Sequence, residues 1–290
     1  MKPRHWLNLL ALSMIWGCSF IFFKIAAPEM QAPFLAWARV LTGALFLGLL
    51  YKATQQPTHV LQHWRVLVWI AAFAATLPFM LFAWASKSVN ASVLVILNAT
   101  APIWSAIIQA LLHRKAPQPL AVVGLLLGMA GVSLIVSRNL GNLNELVHSQ
   151  AALGMLAALA AAACYGVATN MTLGMGKHLD HRSNALGCLV YATVQLSLLA
   201  PFTAPEQLPS AAAMWATLGV GVLCSGVAYL IYFKLADEIG PTSALTVTFL
   251  TPIFGILWSV LLLGESIGWE TPVGGLVVLS GTYLVLKHSR

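Results

Sequence analysis

Residues Asn98–Lys115, "NATAPIWSAIIQALLHRK", and Thr248–Glu265, "TFLTPIFGILWSVLLLGE", decide how this chain folds. In the first, Asn98, Pro102, Ser105 and Gln109 follow at steps of 4, 3 and 4, the spacing that sets side chains on one face of a helix. The second starts 150 residues later and repeats the pattern with Thr248, Pro252, Gly255 and Ser259, prolines in register. Their ends differ: the first closes on "HRK", the second on "GE". A polar stripe inside an apolar run, its recurrence, and the reversed terminal charge each need a physical cause.

Composition sets the frame. The chain of 290 residues is 59% hydrophobic and only 8% charged, with a mean hydropathy of +0.84, whereas soluble domains carry about a quarter charged residues. Ten apolar runs fall near 6–27, 33–51, 64–85, 90–112, 117–137, 151–176, 183–201, 211–235, 241–263 and 268–287. At about 1.5 Å per residue each is about long enough for a hydrocarbon core of about 30 Å. Lipid offers no partner to an open strand edge, so the runs are helices. The expected fold is all-α and polytopic, with ten transmembrane helices and no soluble domain. The start, "MKPRHWLNLLALSMIWG", has the basic end and apolar run of a signal peptide. It holds no convincing cleavage site before Pro28, so it is expected to stay as the first helix.

The net charge of +7 reports topology rather than nucleic acid, because the basic residues are scattered through short loops. With the N-terminus inside, eleven fall on the cytoplasmic side: Lys2, Arg4, Lys52, Arg65, Arg114, Lys115, Lys177, Arg182, Lys234, Lys287 and Arg290. Only Lys87 and Arg138 fall outside. This asymmetry puts both termini of a multi-pass membrane protein in the cytoplasm. Cys18, Cys164, Cys188 and Cys224 all sit in apolar runs without metal-ligand spacing, so neither a disulfide nor a metal site is expected.

Sliding the chain on itself by 150 matches Pro102 with Pro252, Leu111-Leu112 with Leu261-Leu262, Gly124 with Gly274 and Gly131 with Gly281. A slide of 149 matches Ala11 with Ala160, Trp16 with Tyr165 and Gly17 with Gly166. Residues 1–145 and 146–290 thus read as two five-helix units. Since five is odd, the second enters the membrane inverted, and the positive-inside rule then explains "HRK" against "GE".

Together "WGCSFIFFK", "AWARVLTGALF", "TAPIWSAIIQALL" and "TPIFGILWSVLLLGE", in this order within ten spans, resemble the EamA-type transporters of the drug/metabolite transporter (DMT) superfamily. The resemblance covers nearly the whole chain. The first unit departs from the pattern by carrying "HRK" where the family often has a Gly-Glu pair. What the resemblance implies is export or exchange of small metabolites, amino acids or drugs across the inner membrane.

Inverted repeats place a substrate site near the midplane, where the halves meet. Pro102 and Pro252 are the candidate hinges there, each removing a helix hydrogen bond. The polar stripe has two readings: Asn98 and Thr248 line a cavity, or the stripe holds helices together. Further stripes add Trp16 and Phe20 in the first run, Tyr165 and Thr169 in the sixth, Tyr191 in the seventh and Tyr229 in the eighth. Lys24 and Arg39 lie within runs; they either snorkel outward, toward Glu29, or attract an anionic group of the substrate. The candidate substrate-binding set is therefore Trp16, Phe20, Arg39, Asn98, Tyr165, Thr169, Tyr191, Tyr229 and Thr248.

All eight acidic residues and all eight histidines fall in loops or at run ends, so the buried titratable group of a proton pump is not expected. No catalytic constellation and no phosphate loop is present in the sequence, which argues against an intramembrane enzyme and an ATP-driven pump. The expected activity is secondary transport or facilitation by alternating access, exporting small metabolites, amino acids or related amphipathic compounds, or drugs, with no cofactor. The alternatives are an organic-anion or nucleotide-sugar-type exchanger and, outside transport, a structural membrane subunit. Expected partners are a small-molecule substrate and the bilayer, with no nucleic acid, for a monomer or weak homodimer.

Overall fold

The computed structural model describes residues 3–114, 118–139, 149–239 and 247–288; Lys115 and Glu145 lie outside them. The described residues form helices and short connections, with no strand among them. In chain order these are α1 Pro3–Ala26, α2 Ala32–Ala53, α3 Trp64–Ala71 and α4 Leu77–Ala85. Next come α5 Ala91–Asn98, α6 Ala101–His113, α7 Pro119–Asn139, α8 Gln150–Gly174 and α9 His181–Leu196. Last are α10 Ala211–Leu218, α11 Ala228–Ile239, α12 Val247–Leu263 and α13 Glu270–His288. Among the described residues six stretches are long and apolar enough to cross a membrane: Pro3–Ala26, Ala32–Ala53, Trp64–Ala85, Ala91–Leu112, Gln150–Gly174 and Ala211–Tyr232. Pro119–Ile135 and Leu250–Leu263 are shorter apolar helices. Trp6, Trp64, Trp215 and Trp269 are exposed near helix ends, the placement of interfacial anchors.

Two long helices change pitch midway. Ala72–Thr76 joins α3 to α4, and Gly219–Val227 joins α10 to α11, both as π-helix, a form that recurs at functional sites. A third interruption has a local cause: the Pro102 ring would collide with the carbonyl four residues back, at Asn98. Accordingly α5 ends at Asn98 and α6 starts at Ala101. Thr282 then donates to the freed Ala99 carbonyl (3.1 Å). Pro252 is different, for α12 runs through it without a break.

Contacts recur with the halves exchanged. A Cβ on Gly131 would come within 2.6 Å of the Gly274 carbonyl, and one on Gly281 within 2.5 Å of the Gly124 carbonyl. A Cβ on Gly17 would meet the Gly255 nitrogen at 2.8 Å, and one on Gly166 the Ser105 nitrogen at 2.7 Å. Trp16 packs on Tyr232 with ring centroids 5.5 Å apart, while Tyr165 stacks on Phe82 at 6.3 Å. Every pair maps onto its partner pair by the slides of 149 and 150.

Glu265 closes one end of the bundle. Gly264 takes φ 64°, a left-handed value that suits glycine, and turns the chain so that Glu265 reaches α5. Its carboxylate accepts from the Ala91 amide (2.7 Å), the Ser92 amide (3.2 Å) and the Ser92 hydroxyl (2.7 Å). Asn90 at the N-cap makes no side-chain cap bond, so the cap comes from the other half of the chain. Glu265→Ala is expected to cost about 0.5 to 2 kcal/mol, the range of a lost N-cap. Thermal unfolding of the purified protein checks this; Ser92→Ala should cost less once Glu265 is gone. At the same end Glu29 accepts from the amide and hydroxyl of Ser210, both at 2.6 Å. Those bonds, the hydroxyl's first, hold its carboxyl below the usual carboxylate range.

Candidate functional site

In α1, Trp16, Ser19, Phe20 and Phe23 lie at helical spacing on one face. Opposite them, Arg39 of α2 turns inward and is 6% exposed, so it does not snorkel. Its Nε donates to the Ser225 hydroxyl in the second π segment (3.1 Å), and Nη1 donates to the Ser19 hydroxyl (3.0 Å). The guanidinium carbon lies 3.7 Å from the centre of the Phe79 ring and 5.1 Å from that of Phe23. Tyr165, Cys224 and Tyr229 are close enough to feel its charge. Phe20, buried, meets Phe82 edge-on at 5.2 Å, and Phe82 carries the contact on to Tyr165. A cation, two hydroxyls and a run of rings thus share the centre of the bundle.

The other candidates are distributed more widely. Trp16 donates its indole N–H to the Cys224 carbonyl (3.2 Å) and packs with Tyr232 in a smaller cluster that includes Leu9, Leu12 and Leu235. It is not in the same cluster as Tyr165. Thr169 is exposed and bonds back to the Tyr165 carbonyl of its own helix (2.8 Å). The Tyr191 hydroxyl donates to the Val60 carbonyl (3.3 Å). Tyr229 and Thr248 are half-buried. Lys24 donates to the Val89 carbonyl (3.0 Å), near Glu265, rather than reaching Glu29.

In the polar stripe of Asn98–Lys115, Ser105 and Asn98 have different surroundings. Asn170 donates to the carbonyl and hydroxyl of Ser105 (3.0 and 3.2 Å), so at Ser105 the stripe binds α6 to α8. At Asn98 it does something else. Its Oδ1 is buried without a hydrogen-bond partner, directly at the helix break, and so is the indole N–H of Trp104 on the far side of that break. A buried acceptor and a buried donor left open cost free energy.

Sequence reasoning overlooked Ser19, Phe23 and Phe79, although the spacing of Trp16, Ser19, Phe20 and Phe23 was there to find. Two recesses of about 400 Å³ lie elsewhere. One is among the loops near Glu29, Lys87 and Glu206, and the other is a groove along α13 at Leu276 and Tyr283. No cluster of metal-binding side chains occurs among the described residues.

The EamA-like transporter family matches at residues 5–137 and again at 152–287. An uncharacterized transporter of Archaeoglobus fulgidus is 28% identical over 95% of each chain. The uncharacterized transporter YoaV of Bacillus subtilis is 22% identical over 96% of this chain and 95% of its own. A chloroplastic WAT1-related protein of Arabidopsis thaliana is 25% identical over 97% of this chain and 69% of its own. A solved crystal structure superposes with a TM-score of 0.65 over 98% of this chain and 96% of the other at 14% identity, a likeness of fold.

Proposed function

Because the chain belongs to the EamA-like transporter family, we propose that it is a secondary transporter or facilitator that exports small amphipathic metabolites, amino acids or related compounds, by alternating access. The observation that carries this reading is the reciprocity of the two halves around a buried polar centre. Gly131 with Gly274 and Gly281 with Gly124, or Trp16 with Tyr232 and Tyr165 with Phe82, make the same contact from opposite halves. Two arrangements related by that symmetry would have nearly equal energy, which is what alternating access needs. In this reading ten spans form two inverted units, 1–145 and 146–290, and the family's two matched stretches fall one in each. Both termini are cytoplasmic, by the distribution of Lys and Arg, and the inner membrane is what the resemblance to EamA-type transporters implies.

The break ahead of Pro102 supports its role as a hinge. Pro252, in a continuous helix, becomes a hinge only if α12 bends in another state. Among the described residues, Glu29, Asp180, Glu206, Glu265 and Glu270 lie in connections or at helix starts, and Asp237 and Glu238 in the last turn of α11. Coupling to protons through a buried carboxylate is therefore not part of the proposal.

A second reading, exchange of organic anions, is favoured by one observation: Arg39 faces the bundle centre rather than the bilayer surface. Both readings meet the same test. Protein reconstituted into vesicles should show saturable counterflow of at least one solute from a panel of amino acids, quaternary amines and organic anions. Flux no greater than in protein-free vesicles for the whole panel would overturn transport.

A further inference from the structure

The geometry points to a specific role for Arg39: we propose that it receives the carboxylate of the transported solute, so that the substrate is a small carboxylate with an apolar body. This rests on the transport reading and narrows it.

The first argument is cost. Arg39 is almost wholly removed from solvent, and its hydrogen-bond partners are neutral, the hydroxyls of Ser19 and Ser225. Among the described residues the ion pairs join Arg4 and His5 to Glu238, at the start of α1. No carboxylate lies within ion-pairing distance of Arg39 there. A cation at membrane depth is expensive, and such residues pair with something or serve a pathway. The phenyl faces of Phe79 and Phe23 recover part of that cost, yet a ring quadrupole does not neutralise a charge.

The second argument comes from the other half of the chain, which supplies an internal control. There Thr76 sits in the first π segment, as Ser225 sits in the second. Gln195 of α9 holds Thr76 through Oε1 at 2.5 Å and donates to the Val68 carbonyl at 2.8 Å. A polar side chain from the neighbouring helix therefore ties each π segment, and in one half a neutral amide does it. The tie requires a hydrogen bond. It does not require a charge, so the charge of Arg39 is left over for something else.

The third argument is chemical fit. A guanidinium has five N–H groups; two are engaged, by Ser225 and Ser19, which leaves three. Planar, paired donors match a carboxylate better than any neutral acceptor. Around them Phe20, Phe79, Phe82 and Tyr165 offer apolar and aromatic surface for the rest of the solute.

The test uses the purified full-length protein and matched pairs: phenylacetate, 3-methylbutanoate, leucine and phenylalanine, each against its primary amide at equal ionic strength. Binding is followed by thermal shift and titration. At least one carboxylate should bind the wild type, with its amide about 10 to 100 fold weaker, the loss of a charge-assisted hydrogen bond. Arg39→Gln, chosen because a neutral side chain, Gln195, ties the other π segment, should fold and lose that difference. Arg39→Lys should keep a reduced preference. The proposal is overturned if no pair shows a carboxylate preference in the wild type, or if a folded Arg39→Gln protein keeps it. It is also overturned if Arg39→Gln cannot fold while Arg39→Lys folds and binds as the wild type does, since the charge would then be structural. Inorganic chloride and sulfate form a separate arm; if they compete as well as the carboxylates do, the site is a bare anion site and the proposal fails. Vesicle flux separates the two levels: flux without carboxylate preference sinks this inference alone, and carboxylate binding without flux sinks the transport reading alone.

Discussion

Gly131→Leu and Gly281→Leu are each expected to abolish recovery of folded protein, and Gly131→Ala and Gly281→Ala to cost about 1 to 3 kcal/mol, the range of overpacking in a well-fitted core. The reason is what surrounds them. A Cβ at Gly131 would stand 2.6 Å from the Gly274 carbonyl oxygen and 2.8 Å from the Val278 nitrogen; one at Gly281 would stand 2.5 Å from the Gly124 oxygen and 2.6 Å from the Gly128 nitrogen. These are backbone atoms, so α7 and α13 must separate as whole helices. In a membrane, where packing rather than water exclusion holds helices together, that separation removes most of the attraction. Gly174 provides the control, because a Cβ there would have nothing within 4 Å; Gly174→Ala should leave the melting temperature nearly unchanged. Equal losses at Gly131 and Gly174 would mean the close crossing of α7 and α13 is not a source of stability. Unequal losses at Gly131 and Gly281 would break the two-fold equivalence on which the repeat rests.

How much of this was legible beforehand differs from residue to residue. Gly124 with Gly274 and Gly131 with Gly281 could be matched by sliding the chain, but their crossed contacts could not, because a slide aligns equivalent positions and says nothing of which half each touches. Pro102 announced a break, since its missing N–H and its ring act locally. Pro252 announced the same and lies in a continuous helix; its surroundings, not its own chemistry, decide. The π segments gave no warning: "AFAAT" and "GVGVLCSGV" are apolar or small residues compatible with ordinary helix, and the extra residue per turn depends on what packs against it. Arg39 was ambiguous for a related reason. A helix that is apolar nearly all round has no stripe to fix its rotation, so inward and outward orientations of one cation are equally readable until the helix is placed.

The same lesson yields the final expectation, at the matched residues Trp16 and Tyr165. Sequence symmetry alone predicts that both contact substrate, yet the surroundings of the two rings differ. Trp16 is anchored by a hydrogen bond to the Cys224 carbonyl, in a cluster with Leu9, Leu12 and Tyr232. That carbonyl belongs to the second π segment, where the changed pitch leaves backbone acceptors open to a partner from another helix. Tyr165 stacks on Phe82, beside the charge of Arg39. Trp16→Ala should therefore cost about 3 to 5 kcal/mol of stability, and Trp16→Phe about 0.5 to 1.5 kcal/mol for the lost hydrogen bond. In both, the protein that remains folded should bind solute normally. Tyr165→Ala should instead weaken the best-binding aromatic carboxylate by about 2 to 12 fold, the worth of an aromatic pair of about 0.5 to 1.5 kcal/mol. Melting temperatures with and without that solute distinguish the outcomes. A normal solute-induced shift in Tyr165→Ala together with a lost shift in Trp16→Ala would move the binding site to the α1–α11 side of the bundle and away from Arg39.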